Sequence, residues 1–163
     1  MGLFDMFKKK DAAPSFPVVL AADAAGAFVK MEDIPDEVFA QGILGPGCGI
    51  EPTGDTVYAP FDGTVTQIAT TLHAVGITSN DGIELLIHVG MDTVDMKGQG
   101  FTVLVKENQK VTAGTPLLKV DLDAIRAAGH PTATAIIVTD GAGDEVKMLA
   151  EGDVAPGTPL FKV

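Results

Sequence analysis

Apolar and polar residues alternate along most of the chain at the spacing of strands, and turn residues interrupt the alternation at short intervals. The clearest run is Ile83-Glu84-Leu85-Leu86-Ile87-His88-Val89. Ile83, Leu85, Ile87 and Val89 share one parity; Glu84, Leu86 and His88 share the other. Successive side chains of a strand point to opposite faces, so the first set predicts a core face and the second turns His88 outward beside Leu86. Asn80-Asp81-Gly82 opens the run with a turn, and Gly90 closes it. Residues 16–20, 27–30, 73–78, 101–105, 133–138 and 146–149 read as further strands. Residues 56–60 and 64–69, either side of Asp62-Gly63, read as strand, tight turn, strand. Thr71-Leu72-His73 ends a β-like run, which puts Thr71 and His73 on one parity.

Helical signals are few. Residues 33–39 read as one turn, with Asp33 as its cap and Pro35 near its start. Residues 121–128 read as the one full helix, short, capped by Asp121 and ended by Gly129. Gly42, Gly45, Pro46, Gly47 and Gly49 predict a loop that holds Cys48.

The pattern Val-x-x-Gly-Thr-Pro-Leu-x-Lys-Val occurs at residues 111–120 and again at 154–163, offset by 43 residues. One turn-plus-strand element used twice points to two related halves. With many short strands and glycine turns, the expected fold is all-β: an antiparallel β-sandwich or barrel with an internally duplicated motif and one short helix.

Composition narrows the function. A chain of 163 residues suits a single domain, here taken as residues 15–163 behind a tail of residues 1–14. In the tail, Leu3, Phe4 and Phe7 fall on one side of a helical wheel and Lys8, Lys9 and Lys10 follow. That pattern suits peripheral contact of residues 1–10 with an anionic membrane surface. Gly2 is no myristoylation signal, because Met6 stands where that motif needs Ser or Thr. The net charge of −11 argues against nucleic acid and suits a basic protein partner. Cys48 is the single cysteine, so an intrachain disulfide is excluded, which fits a reducing cytoplasm.

The chain has three histidines, His73, His88 and His130. A Gly-x-Ser-x-Gly elbow, a phosphate loop ending in Gly-Lys, and His-x3-His or Cys-x2-Cys metal spacings are all missing. Two readings of His88 and His73 stay open on the residues alone: imidazole as nucleophile, or two histidines holding a metal.

Residues 82–94 match Gly-x2-apolar3-His-apolar-Gly-apolar-x-Thr-aliphatic. This resembles the active-site signature of the glucose-type enzyme IIA of the bacterial phosphoenolpyruvate-dependent sugar phosphotransferase system (PTS EIIA type-1). Pro35-Asp36-Glu37-Val38-Phe39, Glu51-Pro52-Thr53-Gly54, Ala59-Pro60-Phe61-Asp62-Gly63-Thr64, Thr71-Leu72-His73-Ala74 and Met96-Lys97-Gly98-Gln99-Gly100-Phe101 are similar to that family too. The resemblance implies the duplicated β-sandwich and a phosphotransferase role in sugar transport. His88 would accept a phosphoryl group from the phosphocarrier HPr and pass it to a cysteine of a IIB domain. His73 would hydrogen-bond that group and Thr71 would orient His73. Asp36, Phe39, Leu86 and Asp92 would meet the partners. No resident cofactor is implied. In a subset of the family, zinc is shared by the two histidines, here His73 and His88, with a partner's glutamate, and glycerol kinase and sugar permeases are regulated. The protein would be cytoplasmic, at or near the inner face of the membrane. His130 matches no family role. Two other classes compete. A lysostaphin-like zinc peptidase needs a His-x-His step, and none occurs here. A biotin or lipoyl carrier would use Lys147 in Val146-Lys147-Met148, which lacks the first Met of the usual hairpin.

Overall fold

The computed structural model describes residues 19–21, 24–143 and 146–163. The tail expected over residues 1–14 lies outside the described residues. The described residues form three antiparallel sheets. With strands numbered in chain order, the eight-stranded sheet runs β13 (Asp153–Val154), β2 (Gly26–Lys30), β3 (Gly47–Pro52), β11 (Thr134–Asp140), β7 (Glu84–Val89), β6 (Ala74–Ser79), β5 (Gly63–Ile68) and β9 (Lys110–Val111). One three-stranded sheet is β1 (Val19–Ala21), β14 (Pro159–Lys162) and β12 (Lys147–Met148). The other is β4 (Thr56–Tyr58), β10 (Pro116–Val120) and β8 (Phe101–Val103).

The repeat explains this layout. Its first halves, β9 and β13, are the two edges of the eight-stranded sheet, and its second halves, β10 and β14, are the central strands of the two small sheets. Each copy of Gly-Thr-Pro therefore carries the chain from the large sheet to a small one. The main core lies between the sheets. Ile50, Val65, Ile77, Leu85, Ile87 and Ile136 of the large sheet pack in one cluster with Val57, Leu117, Leu118, Leu160 and Phe161 of the small ones. Burying a side chain of this kind stabilises the fold by about 1.5–3 kcal/mol.

A second, smaller cluster holds Ile34, Phe39, Met91, Ala135 and Ile137, with Leu86, Val29 and Met31 packed against it. Ala135 and Ile137 alternate along β11 with Ile136 of the main core, so this cluster sits on the outer face of the large sheet. It is covered there by a four-residue helix, α1 (Glu37–Ala40).

Several expectations are corrected. Residues 56–69 are not a hairpin: β4 joins a small sheet, β5 joins the large one, and the chain between them crosses the sandwich. Asp62 holds the crossing by accepting from the Ala113 amide at 2.8 Å. Cys48 is not in a loop but fully buried in β3. The helix near residue 36 is capped by Asp36 rather than Asp33, since the Asp36 carboxylate accepts from the amides of Val38 and Phe39. Asp33 ends a separate 3-10 turn, Met31–Asp33. The helix at α2 (Leu122–Ala127) is as expected, with Asp121 accepting from Ala124 N and Gly129 at φ +84. Thr71 and His73 are not on a strand; they lie in the turn between β5 and β6, where Leu72 takes the left-handed conformation at φ 64.

Candidate functional site

His88 lies near the end of β7, with Ala74 of β6 and Ala135 of β11 directly across from it. Cross-strand partners share a face, so His88 stands on the outer face among small neighbours that leave room around its ring. The parity expectation is met: Leu85, Ile87 and Val89 are buried, while Leu86 and His88 are half-buried on the other side.

The chain turns sharply after Val89. Gly90 adopts φ 72, and a Cβ there would lie 2.5 Å from Thr93 Cγ2 and 3.0 Å from Pro131 O, so the position requires glycine. The turn brings the Gly90 carbonyl back to His88, whose Nδ1–H donates to it at 2.9 Å. A carbonyl can only accept, so in the neutral ring the hydrogen is on Nδ1 and the lone pair is on Nε2.

His73 approaches from the neighbouring turn. Its carbonyl accepts from Val89 N at 2.8 Å, which ties its backbone to the end of β7. Its Nδ1 is 2.8 Å from Thr71 Oγ1. With the hydroxyl donating, the ring hydrogen is on Nε2, free to donate to an anion. The two imidazoles are 4.7 Å apart between centroids and nearly perpendicular, at 81°. Phe39 packs on His88 at 5.0 Å, and Phe101 packs on His73 at 6.4 Å.

This setting favours neutral imidazoles. Burial, reinforced by His73, lowers the His88 pKa to about 4, against the opposing pull of the Gly90 hydrogen bond and the Asp36 carboxylate. Burial also lowers that of His73, partly offset by the backbone of Thr71 rather than by its hydroxyl. A neutral ring with an exposed lone pair is a nucleophile, and a second imidazole beside it can donate to developing negative charge.

The structure brings His88, His73, Thr71, Phe39 and Asp36 together. Leu86 packs in the same outer cluster as Phe39. Asp92 is exposed at φ 58, two residues past Gly90, at the start of a 3-10 turn, Thr93–Met96. Among the described residues no group of three or more His, Cys, Asp or Glu side chains could hold a metal ion. A tetrahedral zinc takes four ligands, and His73 and His88 are two, so the described residues do not complete such a site around them. His130 donates its amide to Ile125 O after α2.

Sequence reading missed two parts. The Gly90 carbonyl is a backbone group, signalled only by a glycine two residues after the histidine. Val38, Ile43, Leu44 and Val94 are exposed apolar side chains; they stand in α1, which carries Phe39, in the segment after it, and in the Thr93–Met96 turn.

The chain is an antiparallel sandwich built on a repeated motif, with His88 on the outer face of its large sheet and His73 in the adjoining turn. A family model, phosphoenolpyruvate-dependent sugar phosphotransferase system, EIIA 1, matches residues 18–143, and the chain belongs to that family. It is 43% identical over 145 residues to the PTS system glucose-specific EIICBA component of Staphylococcus carnosus (89% of this chain, 22% of that protein). It is 45% identical over 141 residues to the PTS system glucose-specific EIICBA component of Streptococcus pneumoniae (86% and 19%). Identity is 40% over 147 residues to the PTS system mannose-specific EIIBCA component of Corynebacterium glutamicum (90% and 22%). The chain thus spans about a fifth of the length of these relatives. Among solved structures it resembles glucose permease IIA from Mycoplasma capricolum, with a TM-score of 0.83 and 32% identity over 91% of this chain and 96% of that one. No helix among the described residues is long and apolar enough to cross a membrane.

Proposed function

We propose that the protein is a histidine phosphocarrier. His88 Nε2 attacks the phosphoryl group of phospho-HPr, and the group then passes to a cysteine of a IIB domain of a glucose-type permease. The observation that carries this reading is the hydrogen bond from His88 Nδ1 to Gly90 O, which leaves Nε2 as a lone pair beside a second imidazole. Phosphoryl transfer has a loose transition state, so positioning and charge stabilisation dominate its catalysis. His88 supplies the position and the electron pair. His73, with its hydrogen held on Nε2 by the Thr71 hydroxyl, supplies a donor to the equatorial oxygens. When the group leaves for the cysteine, the electrons of the breaking N–P bond return to His88 Nε2.

Asp36 and Asp92 supply negative charge toward a basic partner, and Phe39 and Leu86 supply apolar contact. Relatives named EIICBA and EIIBCA support a IIB and permease partner. Glycerol kinase or a sugar permease would be a regulatory target; if such a partner brings zinc, His73 and His88 are the ligands this chain gives. The protein acts in the cytoplasm, and residues 1–10 would bring it to anionic membrane.

The test is incubation with phosphoenolpyruvate, enzyme I and HPr. The parent should gain one acid-labile phosphoryl group, read by mass, and His88→Ala should gain none. Phosphorylation of His88→Ala would overturn the assignment.

A further inference from the structure

Thr93 is fully buried, yet it carries a hydroxyl that no step above uses. A buried hydroxyl needs a partner, and this one donates to the Val89 carbonyl at 2.6 Å. The bond spans the turn that follows β7 and closes it from Val89 to Thr93. The other branch of the side chain matters too. Thr93 Cγ2 occupies the space a Cβ would need at Gly90, at 2.5 Å from that position, so the methyl lies directly over the Gly90 α-carbon.

Two consecutive peptide groups are pinned in this way. The Val89–Gly90 peptide is held through its carbonyl by Thr93. The Gly90–Met91 peptide is held through its amide, since Met91 N donates to Pro131 O at 3.1 Å. What remains is the Gly90 carbonyl, and it points at His88 Nδ1. Histidine in water prefers the opposite tautomer, with its hydrogen on Nε2. A fixed carbonyl at Nδ1 is what reverses that preference here.

The geometry points to Thr93 as a positioning residue: its hydroxyl, bound to the Val89 carbonyl, holds the Gly90 carbonyl where it keeps the hydrogen of His88 on Nδ1 and the lone pair on Nε2. Thr93 makes no hydrogen bond to either imidazole and acts through the turn. The role rests on the phosphocarrier reading solely for what Nε2 does next; the tautomer itself is measurable without any partner.

The experiment labels histidine with ¹⁵N and reads the two ring nitrogens of His88 by NMR near pH 7.5. The parent should show Nδ1 protonated and Nε2 bare. Thr93→Val, which keeps the shape and removes the donor, should show a mixture of tautomers at His88, with His73 unchanged as the internal control. Its phosphorylation by phospho-HPr should slow roughly tenfold, the scale of losing one hydrogen bond's worth of positioning. Thr93→Ser, which restores the hydroxyl, should restore the parental tautomer. An unmixed His88 in Thr93→Val overturns the role, as does a mixed one in Thr93→Ser. Should Thr93→Val not fold, Thr93→Ser and the parent decide. A parental Thr93 hydroxyl proton without slowed exchange would then also overturn it. If the tautomer responds as expected but His88 takes no phosphoryl group, the phosphocarrier reading fails and the positioning role stands.

Discussion

The amide of Val89 donates to the carbonyl of His73 at 2.8 Å, so the separation of the two imidazoles is set by a backbone hydrogen bond. Each ring is then oriented locally, His73 by Thr71 and His88 by Gly90. Register is shared while orientation is separate, so the two rings can be perturbed one at a time.

His73→Gln should still accept a phosphoryl group from phospho-HPr but donate it poorly to IIB, because the donor that follows the charge is altered while the nucleophile is intact. Thr71→Val should produce a milder form of the same defect, since His73 loses only the group that fixes its hydrogen on Nε2. Single-turnover transfer to a purified IIB domain checks both. Parental donation rates in the two variants would remove His73 from the mechanism.

Acid should weaken the fold through His88. In the folded protein it takes up a proton only near pH 4, whereas an exposed histidine does so near about 6.5. Between those values the unfolded chain binds more protons, so stability present above about pH 6.5 is lost as pH falls toward 4. This one group contributes a loss of up to about 3 kcal/mol. Urea unfolding at pH 7.5 and 4.5 should show a larger drop for the parent than for His88→Gln, which cannot titrate; equal drops would mean that burial does not suppress His88 protonation.

Gly90→Ala should destabilise the protein by about 2–4 kcal/mol, combining left-handed strain with a clash against Thr93 and Pro131. Where the variant folds, the displaced carbonyl should also slow phosphorylation. Denaturant midpoints and acceptance rates measured on the same preparation test this, and a variant of parental stability would contradict the turn geometry.

Phe39→Ala should cost about 3–5 kcal/mol, as for a large buried aromatic. It should also raise the His88 pKa, because the ring 5.0 Å away is part of what keeps water from the imidazole. Titration of His88 by NMR gives the direction. No rise would assign the desolvation to other neighbours.

Much of this was legible in the chain because strand parity is a strong signal where one face is buried. Ile83, Leu85, Ile87 and Val89 are all buried, and their alternation alone turns His88 outward. The misreadings have physical causes. Asp62-Gly63 signals a change of direction but cannot say whether the next strand pairs with the last one or crosses to another sheet. The glycines around Cys48 look like a loop. In β3 they instead make room: a Cβ at Gly49 would come within 3.1 Å of Ile34, and one at Gly47 would meet the backbone of β11. The four-residue α1 is too short to show a helical period, so the pattern does not fix its start and puts the cap at Asp33, three residues before the true cap, Asp36. Thr71 and His73 meet through a turn rather than a shared strand face. The Gly90 carbonyl is common to every residue and gave no chemical signal at all.

The two copies of the repeat sit at opposite margins of the large sheet, and β7 lies in its interior, between β11 and β6. Fraying starts at margins, where strands such as β9 and β13 have two residues and one neighbour. Amide exchange should therefore be fastest at both ends of the sheet and slowest around residues 85–89 and 134–138. The paired histidines would then lose their spacing only in the openings that unfold the domain as a whole, so the lifetime of the site is the lifetime of the fold.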